Sequence, residues 1–133
     1  MYSIMKKLLV LISLVLLTIS VYASDTITNP PVSDWGDLIE GEWNPVDMAK
    51  GTLSFKYGIL VYKGPGELGA MTVTREFPYS IKRDHLVLEN RYPAIYGIKA
   101  KLDCPIKIYK ENGETYLEIH SVIGLAGKYQ KVQ

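Results

Sequence analysis

The sequence predicts an all-β domain: a small antiparallel barrel of about eight strands, preceded by a secretory signal peptide. Three observations carry this. From Leu38 onward apolar residues recur at every second position, and no segment shows a convincing helical period. Turn signals separate these runs at the regular spacing of sandwiches and barrels. A chain of many hairpins and no helix hides its strand edges most completely by closing on itself.

The leader comes first in chain order. Residues 1–23 are expected to be removed on export: Lys6 and Lys7 form a positive start, Leu8 to Ile19 is apolar, and Val21-Tyr22-Ala23 resembles a small-residue cleavage site. The apolar run falls short of the ~20 residues that span a bilayer, so no stable membrane anchor is expected after cleavage. The short, simple leader points to a bacterium, with the periplasm or the medium as destination. Without Lys6 and Lys7 the 15 basic residues become 13, against 14 acidic, a net charge of −1. That balance lacks the clustered basic footprint of a nucleic-acid binder. An oxidising compartment would permit disulfides, but Cys104 is alone in the sequence.

Residues 24–37 are polar, with Pro30-Pro31 and other turn formers, and read as a flexible arm. Trp35 is its apolar anchor, expected to dock on the domain that occupies 38–133. Within that domain "LIEGEW", Leu38 to Trp43, opens the first strand. In "TLSFKY", Leu53, Phe55 and Tyr57 share one face. Gly58 interrupts "ILVYK", and "KGPGELG", 63–69, is a loop. "AMTVTREF" places Met71, Val73, Arg75 and Phe77 on one face; Pro78 marks a bulge, bend or edge because it cannot donate to a ladder. "HLVLEN" brings Leu86 and Leu88 together. From 95 to 109 the even positions Tyr96, Ile98, Ala100, Leu102, Cys104, Ile106 and Ile108 form an apolar face opposite Lys99, Lys101, Asp103 and Lys107. Asn112-Gly113 is the strongest hairpin signal, since a type I′ turn needs positive φ at both central residues. "YLEIH" and "GLAGKYQKV" complete the count.

Gly41-Glu42-Trp43 at the head of such a run resembles the Gly-x-Trp that opens the first strand of lipocalins and their calycin relatives. The match is carried also by "LSF", "YSIKRDHLVL" and the closing "GKYQKV", and covers Leu38 to Val132. It is to the compact bacterial lipocalin-like proteins. The resemblance implies an up-and-down barrel in which Trp43, following Gly41, closes one end, with Lys131 or Lys128 packed across its ring as the basic residue of the last strand. The usual basic residue there is Arg, and the middle "TDY"-like motif is not visible in this chain. The resemblance further implies ligand binding at the opposite end.

Few residues suggest catalysis. His85 and His120 lack partners at metal-ligand spacing and read as surface histidines. Cys104 falls on an apolar face and reads as a small buried hydrophobe rather than a reactive thiol. No nucleophile elbow, phosphate loop, HExxH or paired-carboxylate motif is present, so neither metal nor cofactor is expected. Only a cluster of His120, Glu118 and a nucleophile in a cleft would revive an enzyme.

Arg75 breaks the pattern. Its parity points it inward, where a buried charge must be paired or hydrogen-bonded. Either an anionic ligand takes its planar fork of donors, or a bulge beside Pro78 turns it outward, or it snorkels from an end position. The expected function is therefore non-enzymatic binding of a small amphipathic or apolar ligand by Arg75, Tyr57, Tyr79 and Tyr96, with Gly41, Trp43 and Lys131 as structural closure. The competing expectation is a periplasmic protein-binding module, an inhibitor or immunity protein, using loop 63–69 and the segment Tyr92 to Tyr96.

Overall fold

Alternating burial decides where the chain runs as strand. The computed structural model describes residues 26–66, 71–90, 100–120 and 124–133; the expected leader, residues 1–23, lies outside these. A two-residue strand, β1 (Ile27–Thr28), precedes a 3₁₀ turn (Val32–Asp34) and a one-turn helix, α1 (Trp35–Leu38). Eight further strands follow: β2 (Gly41–Pro45), β3 (Thr52–Lys56), β4 (Ile59–Pro65), β5 (Thr72–Lys82), β6 (His85–Glu89), β7 (Lys101–Glu111), β8 (Glu114–Ile119) and β9 (Gly127–Lys131). Each pairs antiparallel with its neighbour in sequence, and β9 pairs with β2. The result is a closed eight-stranded up-and-down barrel. Closure leaves no free edge running the length of the sheet.

The interior faces carry the residues that alternation selects. Trp43, Leu53, Phe55, Leu60, Tyr62, Leu86, Leu88, Ile108, Leu117 and Tyr129 are all buried in one core. Cys104 is buried there too, opposite Leu86. Each fully buried aliphatic or aromatic side chain of this kind stabilises the fold by about 1.5–3 kcal/mol. Strand β7 changes partner at Pro105: Lys101–Pro105 pair with β6, Ile106–Glu111 with β8. β1 adds to β7 at Lys110 and Glu111.

The segment expected to be a flexible arm, 24–37, is paired and wound from Ile27 onward. Trp35 is the cause. It is buried, and its indole Nε1 donates to Pro30 O at 3.2 Å, folding the arm against the barrel end.

The two ends of the barrel differ. Tyr57-Gly58, Arg83-Asp84 and Asn112-Gly113 are two-residue turns and gather at one end with the start of β2. The strand ends Pro45 and Thr52, Pro65 and Thr72, Glu89 and Lys101, and Ile119 and Gly127, between which the longer connections run, lie at the other. Asn112 and Gly113 have φ of 53° and 79°, the left-handed pair that the hairpin reading requires. Tyr57 was expected to continue the inward face of β3. It does not: β3 ends at Lys56, and Tyr57 takes φ 54° as the first turn residue before Gly58 at 72°. The two-residue turn overrides the alternation and leaves Tyr57 97% exposed.

Candidate functional site

The end with the short turns is sealed. The fully buried Trp43 donates from Nε1 to Ile39 O at 2.8 Å. Lys131, its cross-strand neighbour on β9, places Nζ 5.6 Å from the centre of the Trp43 ring. The same ammonium donates to Leu38 O, the last carbonyl of α1, at 2.6 Å. One side chain thus ties the last strand to the tryptophan and to the helix beneath it. Burial lowers the Lys131 pKa, with Glu40 opposing and Lys110 adding to the shift. Gly41 explains the glycine of Gly-x-Trp: its φ is 123°, and a Cβ there would lie 3.3 Å from Lys131 Cε. Lys128, the other basic residue of β9, stands instead on the outer wall. Its Nζ lies 4.3 Å from the Tyr116 ring centre, and Tyr116 stacks on Tyr109.

The opposite end is narrowed by close backbone packing. A Cβ on Gly51 would lie 2.7 Å from both Tyr62 Cε2 and Gly64 Cα, so the 46–51 connection folds directly onto β4. Tyr62 OH donates to Pro65 O at 3.4 Å, and Tyr129 OH donates to Leu125 O at 2.8 Å. Burial pushes the Tyr129 pKa up to about 12, with Tyr62 adding to the shift. The second bond ties Leu125, which precedes β9, to the core; the first stays within β4.

One strip of the interior stays open. On β5 every inward side chain, Val73, Arg75, Phe77, Tyr79 and Ile81, is only half-buried, whereas the central inward positions of the other strands are buried. Pairing gives the reason. β5 pairs with β4 along Thr72–Pro78, but with β6 only along Tyr79–Lys82. Among the described residues no strand flanks Thr72–Pro78 on its second side. Among the described residues the wall is therefore incomplete beside Val73, Arg75 and Phe77, and Leu102 at the start of β7 is half-exposed as well.

Arg75 lies opposite Tyr62 in the ladder, on the interior face. Pro78 does not turn it outward, because β5 keeps its alternation through that residue and simply loses β4 as a partner beyond it. Arg75 is held by a neighbour within the protein; a guanidinium has five N–H donors, enough for a second acceptor. Tyr79 meets Phe55 edge-on, with ring centres 5.1 Å apart, and its pKa is raised by burial and by Glu40. Tyr79 thus belongs to the lower, sealed half, while Arg75 borders the open strip. Tyr96 and the segment Tyr92 to Tyr96 lie outside the described residues, as do 67–69 of the 63–69 loop. Parity placed Val73 and Phe77 on the inward face but could not show them half-exposed, because that follows from β5 running beyond its ladder with β6.

The remaining polar features are on the outside. His85 Nδ1 lies 2.6 Å from Asp103 Oδ1 and Nε2 lies 3.5 Å from Asp84 Oδ1, at the exposed entrance of β6. His120 is exposed, 4.0 Å from Glu118, whose Oε1 accepts from Tyr109 OH at 3.3 Å. A depression of about 360 Å³ lies over the outer wall, lined by Asn44, Glu114, Gln130 and Gln133 among others. Its walls are mostly polar, with Pro45 and Val132 as the apolar residues. Among the described residues no group of His, Cys, Asp and Glu could hold a metal ion. No protein-family model matches the chain, and neither does any curated protein or solved structure.

Proposed function

We propose that the protein is an exported, non-catalytic, lipocalin-like binding protein for a small amphipathic molecule. The apolar body of the ligand packs on Val73, Phe77 and Leu102, and its anionic or strongly accepting head meets Arg75. The observation that supports this is the half-buried interior strip of β5, which sets the Arg75 guanidinium between Val73 and Phe77 on the inward face. Such a site is mostly apolar with one orienting polar group, the usual make-up of a small-molecule site. The sealed end, with Gly41, Trp43 and Lys131, serves stability rather than binding.

The test is a fluorescence titration with a dansyl-labelled fatty acid and with its neutral alcohol analogue. The expected result is saturable, blue-shifted emission with both probes. Arg75→Gln should weaken the fatty acid by about tenfold or more, the scale of a lost charge-assisted hydrogen bond, and the alcohol far less. Absence of saturable binding, or equal loss for both probes, refutes the reading.

A further inference from the structure

The long-connection end carries an unusual pair of methionines. Met48, in the 46–51 connection, is 94% exposed, and Met71, at the end of the 66–71 connection, is 77% exposed. Val46 is 51% exposed beside them. The two connections are neighbours, because Gly51 packs on Gly64 and Gly66 N donates to Met71 O at 2.9 Å. An unbranched thioether that touches little of its own protein gains by entering any apolar medium.

Charge points to what that medium is. Among the described residues, this end bears Lys50, Lys63, Lys101 and Lys128 against three carboxylates, Asp47, Glu89 and Glu118. The sealed end bears seven carboxylates, from Asp34 to Glu114, against five basic residues. The exposed apolar residues at that end, Tyr57 and Val132 among them, therefore sit in an acidic field. Among the described residues the net charge thus changes sign along the barrel axis, and the long-connection end is the one that combines exposed apolar side chains with a net positive charge.

We propose that the long-connection end docks reversibly on an anionic lipid surface. Val46, Met48 and Met71 enter the headgroup boundary, while Lys63 and Lys101, with Lys50 behind them, meet lipid phosphates. Apolar side chains and a few basic residues act together in this way at membrane surfaces, each contributing modestly and reversibly. Docking places the β5 strip beside the bilayer, a source and sink for amphipathic molecules. The surface stands on its own exposure and charge; it does not depend on Arg75 binding anything.

The experiment is cosedimentation of the full protein, recovered from its own compartment, with vesicles of phosphatidylcholine and with vesicles of equal parts phosphatidylcholine and phosphatidylglycerol. No ligand is added. Binding is expected to the anionic vesicles and to fall steeply with salt. Met48→Ser with Met71→Ser should weaken it by about tenfold or more, and Lys63→Gln with Lys101→Gln should remove most of its salt dependence. Tyr57→Ser, an equally exposed change at the sealed end, should leave binding unchanged. Near-ultraviolet circular dichroism checks that every variant keeps its packing. No sedimentation with anionic vesicles overturns the proposal, as does binding that the double methionine variant retains. Self-association through Met48 and Met71 in the absence of lipid also overturns it. None of these outcomes bears on the fatty-acid titration, so the two readings fail separately.

Discussion

Replacing Lys131 by Met removes the ammonium while keeping most of the aliphatic stem that lies over Trp43. Two interactions go. The first is the charged hydrogen bond to Leu38 O, 2.6 Å long, of a type that contributes about 1.5–3 kcal/mol. The second is the cation over the Trp43 ring at 5.6 Å, worth about 0.5–1 kcal/mol at a partly exposed position. Against these stands relief of the desolvation that lowers the Lys131 pKa, and methionine refills the apolar contact. The balance is a loss of about 1–3 kcal/mol. Urea denaturation followed by tryptophan emission measures it: the midpoint should fall at unchanged slope. The native emission should also shift to the red as α1 loosens over Trp43. A loss below about 0.5 kcal/mol, the range of an ordinary surface substitution, with unchanged emission would refute the idea that Lys131 is the tie at the sealed end.

Gly41→Ala should destabilise by about 1–3 kcal/mol, because φ 123° is strained for any L side chain; thermal melts of the pair give the difference. Tyr57→Asn should stabilise by up to about 1 kcal/mol, since asparagine tolerates the left-handed turn position that tyrosine occupies at φ 54°. Alkaline pH should unfold the protein. Tyr129 has its folded pKa raised from 10.0 to about 12, so its contribution is full below pH 10.0 and is lost as pH rises toward about 12. Tyr129→Phe should flatten the fall in stability over that window, read from urea midpoints taken across it, although it also gives up the bond to Leu125 O.

Much of the barrel was legible because its signals are local. Period-two alternation named Leu53, Phe55, Leu86, Leu88, Cys104, Ile106 and Ile108 as interior residues, and all are buried. Asn112-Gly113 named its own turn. Trp43 and Lys131 are cross-strand neighbours in the structure, and the motif that suggested their pairing is short but chemically constrained, since its glycine makes room for the lysine stem. What could not be read was anything set by strand length. Tyr57 follows the alternation of β3 perfectly, yet a two-residue turn takes it out of the strand. Trp35 docks as the sequence suggested, but the short strand β1 and the one-turn helix α1 that precede β2 had no local signal. The candidate site depends on β6 ending at Glu89 while β5 runs seven residues beyond their shared ladder. That mismatch is a relation between two distant segments, and no window of sequence contains it.

The account rests on the open strip of β5 holding a small molecule. Native mass spectrometry of the protein recovered from its own compartment tests this most directly. The account predicts a discrete mass increment of small-molecule size, carried by the wild type and lost in Arg75→Gln. The bare chain mass in both, or a co-purifying protein in place of a small molecule, would contradict it.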